Sequence, residues 1–218
     1  MMKSSNHLIH TLVFCNGEPP SRRLCRDLAR KAHLIVAADG GANTARRYGI
    51  TPDIIIGDLD SISLATRRFF SSATIERISR QDNTDLEKTL DYLVSRKVSS
   101  VTIVGATGRR IDFTLANLSV LWNYASHFKL TFVNDGWMAL PAGRAVKVSA
   151  RKGTTVSLIP FGRCTGITLK GLQYPLNNAT MRVGEIGVSN AVVHSPFSVQ
   201  VGKGRMLLII FDPKAMLA

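Results

Sequence analysis

From Leu8 to Val133 the chain alternates short apolar runs with amphipathic segments, and no other feature restricts its fold as much. Leu8 to Phe14, Leu34 to Ala38, Ile54 to Ile56, Val101 to Val104 and Leu130 to Val133 are nearly continuous apolar runs. Runs of this kind predict strands covered on both faces. Thr74 to Ile78 alternates as an edge strand does. Between the strands, Arg22 to Ala32 places Leu24, Leu28 and Ala32 at helical spacing. Ala42 to Tyr48 predicts a short helix closed by Gly49, a residue suited to a C-cap. Leu64 to Phe70 and Phe113 to Tyr124 also read as helices. Thr84 followed by Glu87 is the signature of a capping box, opening a helix whose apolar face is Leu86, Leu90, Leu93 and Val94. Strands alternating with helices predict an α/β fold with a mostly parallel sheet. Ligands of such sheets bind outside the carboxyl ends of the strands.

The texture changes between about 135 and 150, where Pro141-Ala142-Gly143 reads as a break. Short β-like runs punctuated by glycine follow: Ala145 to Val148, Thr155 to Ile159, Gly166 to Leu169, Met181 to Val183, Val192-Val193, Ser198 to Val201 and Met206 to Phe211. Their spacing predicts a small antiparallel sandwich. The expected organisation is therefore an α/β domain over 1–140 and a β domain over 141–218.

Length and composition exclude several classes. The chain has 218 residues and no apolar run long enough to span a bilayer. Lys3 followed by a segment broken at His10 and Thr11 is a poor signal peptide and reads better as a first strand. Three widely spaced cysteines, Cys15, Cys25 and Cys164, contain no Cys-x-x-Cys pair, which argues against a zinc site or a disulfide framework and fits a reducing cytoplasm. None of the five histidines belongs to a ligand-spaced pair. The net charge of +13 suits a solvated basic surface, an anionic small substrate or a nucleic acid. Basic stripes interleaved with aromatics are absent at an aromatic content of 7%, which weakens the nucleic-acid reading. All acidic residues except Glu185 and Asp212 precede position 141.

Those acids gather at strand ends. Asp58 and Asp60 in Gly57-Asp58-Leu59-Asp60-Ser61 lie two apart, on one face of an extended segment. Asp85 follows Gln81-Asp82-Asn83-Thr84, and Asp112 follows Gly108-Arg109-Arg110-Ile111. Carboxylates placed this way suit a hard divalent cation, usually Mg²⁺, which in turn holds substrate phosphates. Asp39-Gly40-Gly41-Ala42 follows a strand and opens a helix, where backbone N–H groups can meet a phosphate. Gly105-Ala106-Thr107-Gly108-Arg109-Arg110 is a second small-residue loop with two guanidiniums, which match phosphate oxygens bidentately. Simpler readings stand beside these: a tight turn, a surface arginine pair, an Asx-rich turn, and Asp112 paired with Arg109 or Arg110. No Gly-x-x-x-x-Gly-Lys-Ser/Thr loop and no protein-kinase motif set occurs. Mg²⁺, backbone amides and arginine would then have to balance phosphate charge.

The ordered set of motifs resembles the thiamine pyrophosphokinase family. The segments that carry the resemblance are Ala38 to Asn43, Pro52 to Ser61, Asp82 to Lys88, Gly105 to Asp112 and Asn117. In the second half they are Val156 to Pro160, Gly171 to Leu176 and Gly187 to Asn190. The resemblance implies an N-terminal, mostly parallel α/β/α (Rossmann-like) domain followed by a small antiparallel β-sandwich. It implies a homodimer with thiamine held between subunits, and a pyrophosphoryl transfer from ATP to thiamine giving thiamine diphosphate and AMP. It also implies roles. Asp58, Asp60 and Asp85 become the Mg²⁺ and phosphate-region carboxylates, and Asp112 either joins them or acts on the hydroxyl proton. Asp39, Gly40, Gly41, Asn43, Thr84, Gly108, Arg109 and Arg110 lie where the nucleotide is expected. Gln81, Ser189 and Asn190 lie where the thiamine pyrimidine is expected. Many bacterial members have histidine after the aspartate of the arginine loop, whereas here the residue is Phe113. Its ring could stack on a base or simply pack.

Three other readings compete: a Mg²⁺-dependent phosphohydrolase using the same carboxylates, a basic nucleic-acid-binding module, and a dinucleotide binder. The last lacks the Gly-x-Gly-x-x-Gly fingerprint.

Overall fold

A computed structural model describes residues 9–79, 82–96 and 98–212, with a short backbone pairing at 216–217. Leu8 and Gln81 lie outside the described residues. The chain divides into two units, Met1–Phe132 and Val133–Ala218. The division comes earlier than Pro141 because that proline does not break the chain. It sits inside a strand of the second unit, opposite Leu207, where a residue without an N–H can still accept through its carbonyl.

In the first unit the elements run β1 (Ile9–Phe14), α1 (Arg22–Ala29), β2 (Leu34–Ala38), α2 (Gly41–Tyr48), β3 (Ile54–Gly57), α3 (Leu64–Phe69), β4 (Thr74–Arg77), α4 (Asp85–Val94), β5 (Val98–Val104), α5 (Ile111–Tyr124) and β6 (Lys129–Asn134). Their sheet order is β6-β5-β1-β2-β3-β4, and every pairing is parallel. The central strands bury residues on both faces: Leu12, Val13 and Phe14 on β1, Val36 and Ala37 on β2, Ile55 and Ile56 on β3. That explains their continuous apolar runs. β4 lies at the sheet edge, as its alternating sequence predicts, and none of its residues is buried.

The chain builds β1 to β4 outward in one direction, then returns to place β5 on the other side of β1. The loops leaving β1 and β5 therefore diverge, which opens a crevice at their carboxyl ends. Backbone bonds tie the base of that crevice: Cys15 N–H donates to Val104 O at 2.8 Å, and Gly17 N–H to Gly105 O at 2.6 Å.

The second unit holds β7 (Trp137–Ala142), β8 (Val146–Ser149), β9 (Thr155–Pro160), β10 (Cys164–Lys170), β11 (Leu176–Met181), β12 (Asn190–Ala191), β13 (Phe197–Gln200), β14 (Met206–Ile210) and β15 (Met216–Leu217). They form two antiparallel groups, β12-β9-β14-β7 and β11-β10-β13-β8-β15. Val148, Leu158, Ile167, Phe197, Val199 and Leu208 are buried in its core. Two expected strands fall elsewhere. The strand expected at Met181 to Val183 lies at Leu176–Met181, because Arg182 to Glu185 closes a turn. The Val192-Val193 strand is instead Asn190–Ala191, with Val192 in an isolated bridge to Leu172.

Candidate active site

The crevice between the β1 and β5 loops is a cavity of about 420 Å³. Its walls come from Cys15, Asn16 and Gly17 after β1, Ala38 at the end of β2, and Ser61 after β3. Thr84, Asp85 and Leu86 at the start of α4, Gly105, Gly108, Arg109 and Arg110 after β5, and Phe113 and Asn117 on α5 complete it.

Three carboxylates meet next to two of these lining residues, Asp39 following Ala38 and Asp58 and Asp60 preceding Ser61. Oxygens of Asp39, Asp58 and Asp60 all lie within 4.8 Å of one another. Strand pairing explains the meeting: Ala38 on β2 lies opposite Ile56 on β3, so the residues just beyond those strand ends are neighbours. Asp39 then turns into a left-handed conformation with φ 40°, and Leu59, between the other two carboxylates, has φ 71°. Non-glycine residues held there carry backbone strain, which collects at functional sites. Gly57 makes the approach possible. Its φ is 152°, and a Cβ there would lie 2.7 Å from the Asp39 Cβ and 3.3 Å from an Asp85 oxygen.

The loop that carries Asp58 and Asp60 is tied down by its neighbours. Asp39 Oδ2 accepts from Ser61 N–H at 3.0 Å. Asn43 donates to Ser61 O at 2.9 Å and accepts from Ser63 N–H at 3.0 Å. Asp39 is only 1% exposed, and its Oδ1 has no hydrogen-bond partner among the described residues. Burial pushes its carboxyl up to about 6; the Ser61 hydrogen bond opposes the rise, and the Asp85 and Asp60 charges add to it. An orphaned, buried carboxylate oxygen beside two others fits a hard divalent cation.

Asp85 is the first residue of α4, and the expected capping box is present. Thr84 Oγ1 accepts from Glu87 N–H at 3.3 Å, and Glu87 Oε2 accepts from Thr84 N–H at 2.9 Å. One turn on, Lys88 is 3% exposed. Its ammonium lies 3.0 Å from Asp85 Oδ1 and 3.7 Å from Asp58 Oδ2. Burial raises the Asp85 carboxyl, Lys88 opposes that rise, and the Asp58 and Asp60 charges add to it. Sequence reasoning gave Lys88 no role. The available signal was an ionisable side chain three residues after Asp85, and hence on the same helix face.

The opposite wall is basic. Arg109, at φ 56°, donates to Asn16 O at 3.3 Å. Arg110 pairs with Asp112, and its guanidinium carbon lies 4.5 Å from the Phe113 ring centroid. Asp112 is exposed, and its hydrogen bond from Arg110 holds its carboxyl below the ordinary range. It thus stands with the arginines rather than in the acid cluster. Asn117 donates to Ala106 O at 2.7 Å, and Thr114 Oγ1 accepts from Gly108 N–H at 3.1 Å, so α5 fixes the arginine loop. Gly40 and Gly41 open α2. A Cβ on Gly41 would lie 2.0 Å from Phe14 O, so this glycine is needed for helix–strand packing. Cys15 lines the cleft, but burial pushes its thiol up to about 12, which leaves no thiolate at neutral pH.

The remaining expected residues lie in the second unit. Ser189 is exposed at φ 62°, and its N–H donates to Ser157 Oγ at 3.2 Å. Asn190 is buried, with its amide occupied: it accepts from Tyr174 N–H at 3.0 Å and donates to Tyr174 O at 2.9 Å. It therefore shapes the Gly171 to Leu176 segment.

Comparison with known proteins gives a consistent picture. Residues 25–133 match the family model described as thiamin pyrophosphokinase, catalytic domain, and residues 145–206 match thiamin pyrophosphokinase, vitamin B1 binding domain. The chain is 29% identical over 184 residues to the thiamine pyrophosphokinase of Bacillus subtilis strain 168, covering 81% of this chain and 86% of that protein. It is 28% identical over 218 residues to thiamine pyrophosphokinase 2 of Oryza sativa subsp. japonica, covering 85% and 80% respectively. The crystal structure of the Bacillus subtilis thiamine pyrophosphokinase superimposes with a TM-score of 0.81 at 24% identity, covering 93% of this chain and 98% of that one. Thiamin pyrophosphokinase from Candida albicans does so with a TM-score of 0.82 at 19% identity, covering 94% and 89%. At those identities the structural likeness speaks for the fold.

Proposed function

The chain belongs to the thiamin pyrophosphokinase family, and from that premise we propose that it transfers the pyrophosphoryl group of ATP to the hydroxyl of thiamine. The thiamine oxygen bonds to the β-phosphorus, the bond from that phosphorus to the α-phosphate oxygen breaks, and AMP leaves. Thiamine diphosphate forms and the hydroxyl proton is released. The observation that carries this reading is a crevice at the switch point of a parallel sheet that is lined by Asp85 and by Arg109 and Arg110, with the Asp39, Asp58 and Asp60 cluster next in sequence to its lining residues Ala38 and Ser61.

Asp39, Asp58 and Asp60 are the residues that would hold Mg²⁺, with Asp85 beside them. Bound there, Mg²⁺ supplies positive charge to phosphate oxygens. The protein's own part is positioning. Ser61 and Asn43 fix the acidic loop, while Lys88 balances part of its charge. Arg109 and Arg110 offer donors to the phosphate oxygens from the other wall, in a transfer that depends mainly on orientation and charge.

The second unit, with Ser189 and Asn190, is the thiamine-side element in this reading, and Gln81 of the first unit is a further thiamine residue. Asn190 acts by holding the Tyr174 backbone. Thiamine sits between two copies of the chain in a cytoplasmic homodimer. Support for a partner surface comes from Val183, Ile186 and Val188, three exposed apolar side chains on the segment that leads to Ser189.

A label experiment tests the proposal. With ATP carrying ³²P at the γ-position, label should move into thiamine diphosphate, and none should appear as orthophosphate. Label released as orthophosphate without thiamine would favour the phosphohydrolase instead.

A further inference from the structure

Arg110 and Phe113 both line the cleft, with the guanidinium held over the ring. Arg110 is pinned a second time by Asp112: Nε donates to one carboxylate oxygen at 3.1 Å, and Nη2 donates to the other. A guanidinium carries five N–H donors in one plane. Asp112 takes two along one edge and the ring backs one face, which leaves three donors for a ligand. Without such support this side chain would be loose, because it is 67% exposed. A loose arginine must be ordered each time it binds, at a cost in affinity. Phe113 is 45% exposed, so it is not a core residue whose only role is packing. Its ring is engaged by a cation, a contact that favours aromatic side chains over aliphatic ones of similar size.

We propose that Phe113 is a positioning residue for the nucleotide. With Asp112, it holds the Arg110 guanidinium in the orientation in which its open edge meets the triphosphate. The inference rests on the nucleotide reading of the cleft. The ring acts through Arg110 and not by stacking on the adenine.

Calorimetric binding of ATP and of adenosine, with Mg²⁺ and without thiamine, tests this on the full chain. Phe113→Leu should weaken ATP binding about two- to fivefold, the range of an exposed cation–π contact, and leave adenosine binding unchanged. Phe113→Trp should keep wild-type ATP affinity. Combined with Arg110→Gln, Phe113→Leu should add no further loss. Equal losses for ATP and adenosine would overturn the proposal in favour of base stacking. Additive losses in the double variant, or wild-type ATP affinity in Phe113→Leu, would also overturn it. Failure of the wild-type chain to bind ATP at all would remove the nucleotide reading itself. Circular dichroism of each variant separates these outcomes from misfolding.

Discussion

At 3% exposure, Lys88 carries its ammonium between Asp58 and Asp85. Lys88→Met keeps most of the side-chain volume and removes the charge, so two carboxylates lose their shared counter-ion. Breaking a buried pair from one side costs about 3–5 kcal/mol. Asp85 is still 33% exposed and keeps some solvation, so the expected loss is at or below about 3 kcal/mol. It would be read as a lower urea midpoint. Turnover should fall by on the order of 10²-fold, as when one preorganised charge contact is lost. Unchanged stability together with unchanged turnover would remove Lys88 from the account. This lysine shows where local sequence stops being informative. The two-residue spacing of Asp58 and Asp60 made them neighbours on paper, and they are neighbours. Asp39 joins them only because β2 pairs with β3 and the chain turns left-handed at that point, which are facts about non-local pairing. Lys88 reaches Asp58 for the same reason, across elements that the sequence keeps far apart.

Among the elements, α4 and its N-cap present Thr84, Asp85 and Leu86 to the cavity. Its start was readable from Thr84 and Glu87 because a capping box is a local pattern. The end of α2 was readable in the same way, since Gly49 adopts the left-handed C-cap at φ 68°. Strand ends in the second unit were harder to place. β11 includes polar residues such as Asn177 and Asn178, which fall where its register with β10 is irregular and carry no apolar signal. Thr84→Ala should cost about 1 kcal/mol through loss of the cap, measured by urea unfolding. A loss of stability too small to detect would mean that α4 is held by packing alone.

The pairing of β1 with β5 gives a pH prediction. His10 lies opposite Ser100 in the register, and its Nδ1 is 2.9 Å from Ser100 Oγ. Burial, with His33 adding to it, holds His10 below its ordinary value of 6.5. Above 6.5 both folded and unfolded chains keep this histidine neutral, and its contribution is constant. As pH falls below 6.5, the unfolded chain takes up a proton that folded His10 resists, so stability is lost down to the folded value. Melting temperature should therefore drop more for the wild type than for His10→Gln when pH is lowered from about 7.5 to about 5.5. Parallel curves for the two proteins would contradict this.

For the whole molecule, charge is divided between the two halves. Nearly all carboxylates lie in the α/β half, although the chain as a whole carries +13. A basic protein attracts ATP, and a compact acidic cluster inside it is what a divalent cation requires. The same net charge works against thiamine, itself a cation, so its capture must depend on local groups. The order of the two halves and the parallel sheet were legible because buried parallel strands are long apolar runs. The exact seam was not, because Pro141 reads as a breaker and is in fact a strand residue. The measurement that bears most directly on the whole account is AMP formation from ATP and Mg²⁺, with and without thiamine. The account predicts AMP only when thiamine is present, in equal amount to thiamine diphosphate. AMP formed without thiamine, or none formed with it by a folded chain that binds ATP, would contradict it.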